Sequence, residues 1–119
     1  MKTRSAKAKG TRLEKEVAKI LVDSGLDQYA MRMPLSGAIK GLKQDILTKL
    51  PLAIECKNQE NTSFQEWYRQ AENDNNIGSN KIPVVVWSKN NLNRNFAFLD
   101  FQDLVNILYY ALKGGFNKN

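Results

Sequence analysis

The chain has 119 residues and a net charge of +6, with 18 Lys and Arg against 12 Asp and Glu, enough length for one domain with a modest core. The basic balance favours a polyanionic partner, nucleic acid first. With no His and a single Cys, Ser-His chemistry, a zinc centre and an internal disulfide are excluded, and a reducing compartment such as the cytoplasm is expected. Any catalysis must therefore come from carboxylates, Lys, Tyr or a hard metal ion. No apolar run approaches a membrane span, and the basic N-terminus lacks the apolar core of a signal peptide.

Residues 1–10 carry Lys2, Arg4, Lys7 and Lys9 among small polar residues and are expected to form a loose basic arm. Lys7 and Lys9, with Arg12 just beyond, are candidate phosphate contacts. Leu13, Val17, Ile20 and Leu21 repeat at helical spacing from Thr11 to Ser24, and Gly25 follows as a C-cap. Thr11-x-x-Glu14 is a capping-box pattern, so Glu14 fits a helix cap as well as an active-site acid, and Glu16 is the alternative acid on another face.

Leu26 to Met33 reads as a first strand, followed by a loop, Pro34-Leu35-Ser36-Gly37-Ala38, and a basic approach through Lys40 and Lys43. Arg32, Ser36, Lys40 and Lys43 place cations and a hydroxyl ahead of the next segment. Beyond it, a helix opens at Ser63 with Phe64, Trp67, Tyr68 and Ala71 on one face. Asn73 to Lys81 is turn-rich, Ile82 to Trp87 is a buried strand with Pro83 near its start, and Phe96 to Leu99 is a last strand. Phe101 to Leu112 is predicted as a packing helix whose aromatic edge, Tyr109 and Tyr110, is available to a subunit interface. Residues 114–119 are expected to fray.

The chemistry concentrates between Gln44 and Lys57, QDILTKLPLAIECK. Two short apolar runs around Lys49-Leu50-Pro51 predict a β-hairpin. If its turn centres on Leu50, Asp45 and Glu55 oppose each other with Cβ atoms roughly 5 Å apart, and Lys57 shares their face. Opposed like charges on a sheet are destabilising. A hard cation between them removes the objection, since Mg²⁺ prefers carboxylate oxygens and retains several waters. The plainer alternative is a solvated hairpin in which Lys57 pairs with Glu55 or Asp45.

Asp45 followed by Glu55-x-Lys57 at the end of an apolar strand resembles the PD-(D/E)xK nuclease signature, with Gln44 in place of the usual Pro before the Asp. Gly10 and Glu14 at a helix start, and Arg32-Met33-Pro34-Leu35-Ser36-Gly37, resemble the archaeal and phage type of Holliday-junction resolvase within that superfamily.

The resemblance implies an α/β fold with a restriction-endonuclease-like core, a mixed central β-sheet flanked by α-helices, in a single nuclease domain spanning 1–119. It also implies a Mg²⁺-dependent endodeoxyribonuclease, with Mn²⁺ able to substitute, that acts as a homodimer on branched DNA. Asp45 and Glu55 would bind the metal together with the Cys56 carbonyl, with Glu14 as a further ligand. Glu14, Asp45, Glu55 and Lys57 form the implied catalytic set, and Arg32 and Ser36 the implied backbone contacts. Gln59 and Gln70 are accessory candidates for a glutamine that some such nucleases place near the site. The competing expectations are another phage or restriction-type endonuclease of the same superfamily, and a non-catalytic basic DNA-binding protein.

Overall fold

A computed structural model describes residues 2–34, 44–75 and 79–116. Five strands and three helices follow in the order α1 (Lys2–Asp23), β1 (Met31–Arg32), β2 (Ile46–Leu47), β3 (Leu52–Asn58), α2 (Phe64–Asp74), β4 (Ile82–Ser88), β5 (Phe96–Phe98) and α3 (Phe101–Phe116). The fold is mixed α/β. β4 is the centre of a three-stranded sheet, parallel to β3 and antiparallel to β5, while β1 and β2 form a separate antiparallel pair.

Helices cover both faces of the three-stranded sheet. Leu13, Val17 and Ala18 of α1 pack with Ile46, Ile54 and Cys56, while Trp67 and Ala71 of α2 pack on Val85. Alternation along a strand separates these two cores. Ile54 and Cys56 turn toward α1. Glu55 and Lys57, in register with Val85 and Trp87, lie on the α2 side.

The N-terminal stretch is helical from Lys2, so residues 2–10 continue α1 instead of forming a loose arm. A helix that begins there has no terminus at Thr11, and the expected capping box gives way to a different bond, in which Arg32 reaches Glu14 and the Thr11 hydroxyl. Ser63-x-x-Glu66, which has the spacing of a second capping box, does not form one: the Ser63 side chain makes no cap bond, its carbonyl accepts the first helical bond from Trp67 N–H, and Glu66 pairs with Arg69. At the other end, α3 runs through Gly114 to Phe116, beyond its expected stop.

Only Met31–Arg32 of the expected first strand is extended. Gly25, at φ 83°, reverses the chain after α1, and Asp27 then takes over the local geometry. This carboxylate is only 2% exposed. It accepts hydrogen bonds from Tyr29 N–H, from the Thr48 hydroxyl at 2.6 Å and from Lys49 N–H at 2.9 Å. These bonds hold its pKa below the usual carboxylate value, the Thr48 hydroxyl contributing most.

The same bonds explain why the expected β2–β3 hairpin is not a regular ladder. Thr48 and Lys49 are drawn onto Asp27, and Pro51, which lacks an N–H, follows at once. β2 therefore pairs with β1, Arg32 opposite Ile46, and β3 finds its ladder partner in β4, thirty residues on. One link of the hairpin survives at its open end: Asp45 N–H donates to the Ile54 carbonyl at 2.9 Å.

Candidate active site

That link sets Asp45 on the free edge of β3. Its backbone carbonyl accepts from Met33 N–H at 2.8 Å, and its side-chain Oδ2 accepts from Cys56 N–H at 2.7 Å. The carboxylate is thus fixed by main-chain groups on both sides. A strand residue sends its N–H and C=O to the same side, so the Cys56 carbonyl also leaves β3 on the Asp45 edge.

Glu55 is the neighbouring residue on β3, and its carboxyl and that of Asp45 are close enough for each to shift the other's proton affinity. The environment of Glu55 favours the protonated form. Burial, then the adjacent Asp45, then Asp74 on the last turn of α2 push its pKa up to about 8, against the opposing pull of Lys57. Burial also raises Asp45, countered mainly by the Cys56 N–H. Glu55 Oε2 is buried and has no hydrogen-bond partner among the described residues. An orphaned carboxylate oxygen beside a second carboxylate is an arrangement that costs stability unless a cation or proton occupies it.

Lys57 completes this face. Its Nζ lies 6.0 Å from the centre of the Trp67 ring, which sets the ammonium against α2. The Cys56 thiol points the opposite way, into the α1 core, where burial raises its pKa strongly; it is a packing residue.

Glu14 approaches from α1. It contributes negative potential at Asp45 and at Cys56, but its Oε1 is taken by Arg32 Nε at 3.0 Å. Two residues expected to act separately, Glu14 as an acid and Arg32 as a phosphate contact, are therefore paired, one rung of the β1–β2 ladder from Asp45. Glu16, the alternative acid, accepts a bond from the Asn95 amide at 2.9 Å.

Among the expected DNA contacts, Lys7 and Arg12 line an open groove along α1 with Thr11 and Lys15, and Lys9 is half-buried. Ser36, Lys40 and Lys43 lie outside the described residues. Gln59 is exposed, its backbone carbonyl accepting from the Trp87 indole and its N–H bonding to Ser88, while the Gln70 side chain is exposed on α2. Sequence reasoning missed Asp74, whose charge acts on Glu55, and Trp67 as the neighbour of Lys57. The helical stripe carried a signal for Trp67. For Asp74, only the length of α2 could have shown that its last turn returns to Glu55.

Among the described residues, no three His, Cys, Asp or Glu side chains converge into a group able to enclose a metal ion. The donor set still suits a hard cation. Mg²⁺ takes one or two carboxylates and fills the remaining positions with water and substrate oxygens, and the unpartnered Glu55 Oε2 beside Asp45 supplies such a pair.

A mixed sheet whose edge strand carries Glu-x-Lys, and receives an aspartate from the segment before it, has the form of a restriction-endonuclease-like nuclease. A family model described as "Phage putative PDDEXK endonuclease" matches residues 5–115, and the chain belongs to that family. It is thus a nuclease, a hydrolase acting on DNA, of a class that generally uses divalent metals. No curated protein and no solved structure matches the chain. Among the described residues, no helix is long and apolar enough to cross a membrane.

Proposed function

We propose that the protein is a Mg²⁺-dependent endonuclease selective for branched DNA, which resolves four-way junctions by paired symmetric nicks and accepts Mn²⁺ in place of Mg²⁺. The observation that carries the metal-dependent reading is the buried, unpartnered Glu55 Oε2 beside the Asp45 carboxylate. Asp45, Glu55 and the Cys56 carbonyl would hold the ion, with Glu14 close enough to bind its water shell. When bound, the ion lowers the pKa of a water and neutralises charge on the scissile phosphate.

The remaining work falls to the chain. Asp45, locked by Cys56 N–H, fixes where the phosphate can sit. Lys57, held over Trp67, orients the attacking water or a non-bridging oxygen. Arg32, half-exposed beside Glu14, and Lys7 and Arg12 in the groove of α1 carry the DNA backbone toward the acids, and Lys9 is assigned to a backbone contact on another face of α1. Ser36, Lys40 and Lys43 are assigned to the same backbone contacts, and Gln59 and Gln70 to accessory roles. Recognition is of shape and phosphate geometry; two copies of the chain supply the two cuts, in the cytoplasm of a prokaryotic or phage-infected cell.

The family match favours a second reading, a phage endonuclease or nickase without junction selectivity. A labelled four-way junction and linear duplexes of the same arm sequences, incubated with Mg²⁺ and with Ca²⁺, separate the two. Paired symmetric nicks in the junction alone support resolution, and equal cutting of both substrates supports the second reading. Asp45→Asn and Lys57→Ala should retain junction binding while losing cleavage by at least about 100-fold, the scale of removing a group that stabilises the transition state. Wild-type cleavage by either variant refutes the site.

A further inference from the structure

α3 is tied to the body at its first residues. Asp100 starts it: its N–H bonds to the Tyr68 hydroxyl, and its carboxylate accepts from Asp103 N–H. Leu104 and Ile107 are half-buried, but every position from Leu108 to Gly114 is exposed. The exposed side is apolar. Phe101 is 75% exposed, Val105 40%, Leu108 52% and Leu112 51%. A 16-residue helix is marginal in water on its own propensity, and helices in proteins draw most of their stability from burying an apolar face.

We propose that this face is the interface through which two copies of the chain pair, their α3 helices antiparallel about a two-fold axis. The spacing of the stripe carries the choice of occupant. Phe101, Val105, Leu108 and Leu112 are separated by four, three and four residues. That pattern reads the same in both directions, so every position of the stripe meets another member of it in a two-fold contact where residue i meets j and j meets i. In the antiparallel register Phe101 meets Leu112 of the second copy, and Val105 meets Leu108.

The area agrees. With Tyr109 at its border, the stripe exposes on the order of 500 Å² of apolar surface per copy, from these exposures and ordinary side-chain areas. A standard interface buries about 800 Å² per partner, somewhat over half of it apolar. The flank is polar, as an interface rim should be: Gln102 donates to Asn106 at 3.1 Å, and Lys113 lies over the Tyr109 ring. No charged residue falls on the stripe itself.

The pairing supplies the contact for the two-copy assembly of the preceding section, and it is tested without DNA, so its failure and the failure of the nuclease reading are separate results. Light scattering on the full chain should give twice the 13.6 kDa of one copy. Leu108→Glu should halve that mass while leaving the far-ultraviolet dichroism folded, because Leu108 is already 52% exposed in a single copy. Mixing Phe101→Cys and Leu112→Cys chains under mild oxidation should cross-link one to the other, while Phe101→Cys alone should not cross-link to itself, its two copies lying eleven residues apart in register. A monomeric wild type at tens of micromolar, a Leu108→Glu variant that remains dimeric, or efficient self-linkage of Phe101→Cys would each overturn the proposal.

Discussion

Replacing Glu55 by Gln removes one of two abutting acids while keeping the shape of the side chain, and the expected gain in stability follows from its proton affinity. Glu55 moves from an ordinary value of 4.5 to about 8 on folding, first through burial and then through Asp45. The folded state therefore holds a proton that the unfolded chain releases. Stability from this group is fully present below pH 4.5 and is lost as pH rises through about 8, after which it levels off. At about 1.4 kcal/mol per pKa unit, the loss is capped near 5 kcal/mol, and water reaching the half-buried pair reduces it to about 2–3 kcal/mol. With a urea dependence of about 1.5 kcal/mol per molar for a chain of this size, the midpoint should fall by about 1.3–2 M between pH 5 and pH 8.5 in EDTA. Glu55→Gln should flatten that fall and exceed the wild type at pH 8.5. Saturating Mg²⁺ should restore the wild type at high pH and leave the variant unchanged. A variant that keeps the wild-type slope would show that the pH dependence arises elsewhere and that Glu55 is not held protonated against Asp45.

Other outcomes follow from neighbouring groups. Asp27→Asn should lower the thermal midpoint by several degrees at pH 7, because the amide cannot accept from Thr48, Lys49 and Tyr29 as the carboxylate does. Since folding depresses the Asp27 pKa, its stabilisation is present above the unfolded value of 3.8 and lost as pH falls through the lower folded value, so acid titration followed by dichroism should show the variant missing part of that transition. Glu14→Gln should cost only about 0.5–1 kcal/mol in urea denaturation, the worth of a partly exposed ion pair. Its cleavage rate should fall much further than that stability change explains, and equal losses in both would mark Glu14 as a structural partner of Arg32.

The parts of the fold legible in the sequence are those whose pattern is local. The Phe64-Trp67-Tyr68-Ala71 stripe gives α2, the β-branched run after Ile82 gives β4, and both end within a residue or two of their expected limits. The N-terminal helix was also within reach, since Ala6, Lys7, Ala8 and Lys9 are good helix formers that charge alone made look like an arm. Strand pairing was not. Two apolar runs around Leu50-Pro51 suggest a hairpin, and nothing nearby announces that β3 will prefer a parallel partner beginning at Ile82.

The site divides along the same line. The acids and lysine at 45, 55 and 57 follow from alternation and spacing, which place them near one another even though the ladder between them is absent. Arg32 meeting Glu14 across eighteen positions, or Asp27 fastening the turn at Thr48, arises from tertiary packing that no local period encodes. The periodicity of α3 likewise gives an apolar face and leaves open what covers it.

Asp27 and Asp45 show how a small chain can hold two like charges together. Asp27 fixes the position of Thr48 and Lys49, and Asp45 is tied at its backbone to Met33 and Ile54 and at its carboxylate to Cys56. Two of these bonds tie Asp45 to Ile54 and Cys56, the residues on either side of Glu55, and together the set leaves the 45–55 edge little freedom to open. Repulsion between the two acids therefore cannot relax by separation. It must be answered by a proton on Glu55 or by a cation, and the same rigidity that makes the pair unfavourable when empty gives a divalent ion its advantage when it arrives. Loosening the Asp27 turn should thus relieve Glu55 and weaken ion binding together, a coupling that a flexible, solvated pair of carboxylates would not show.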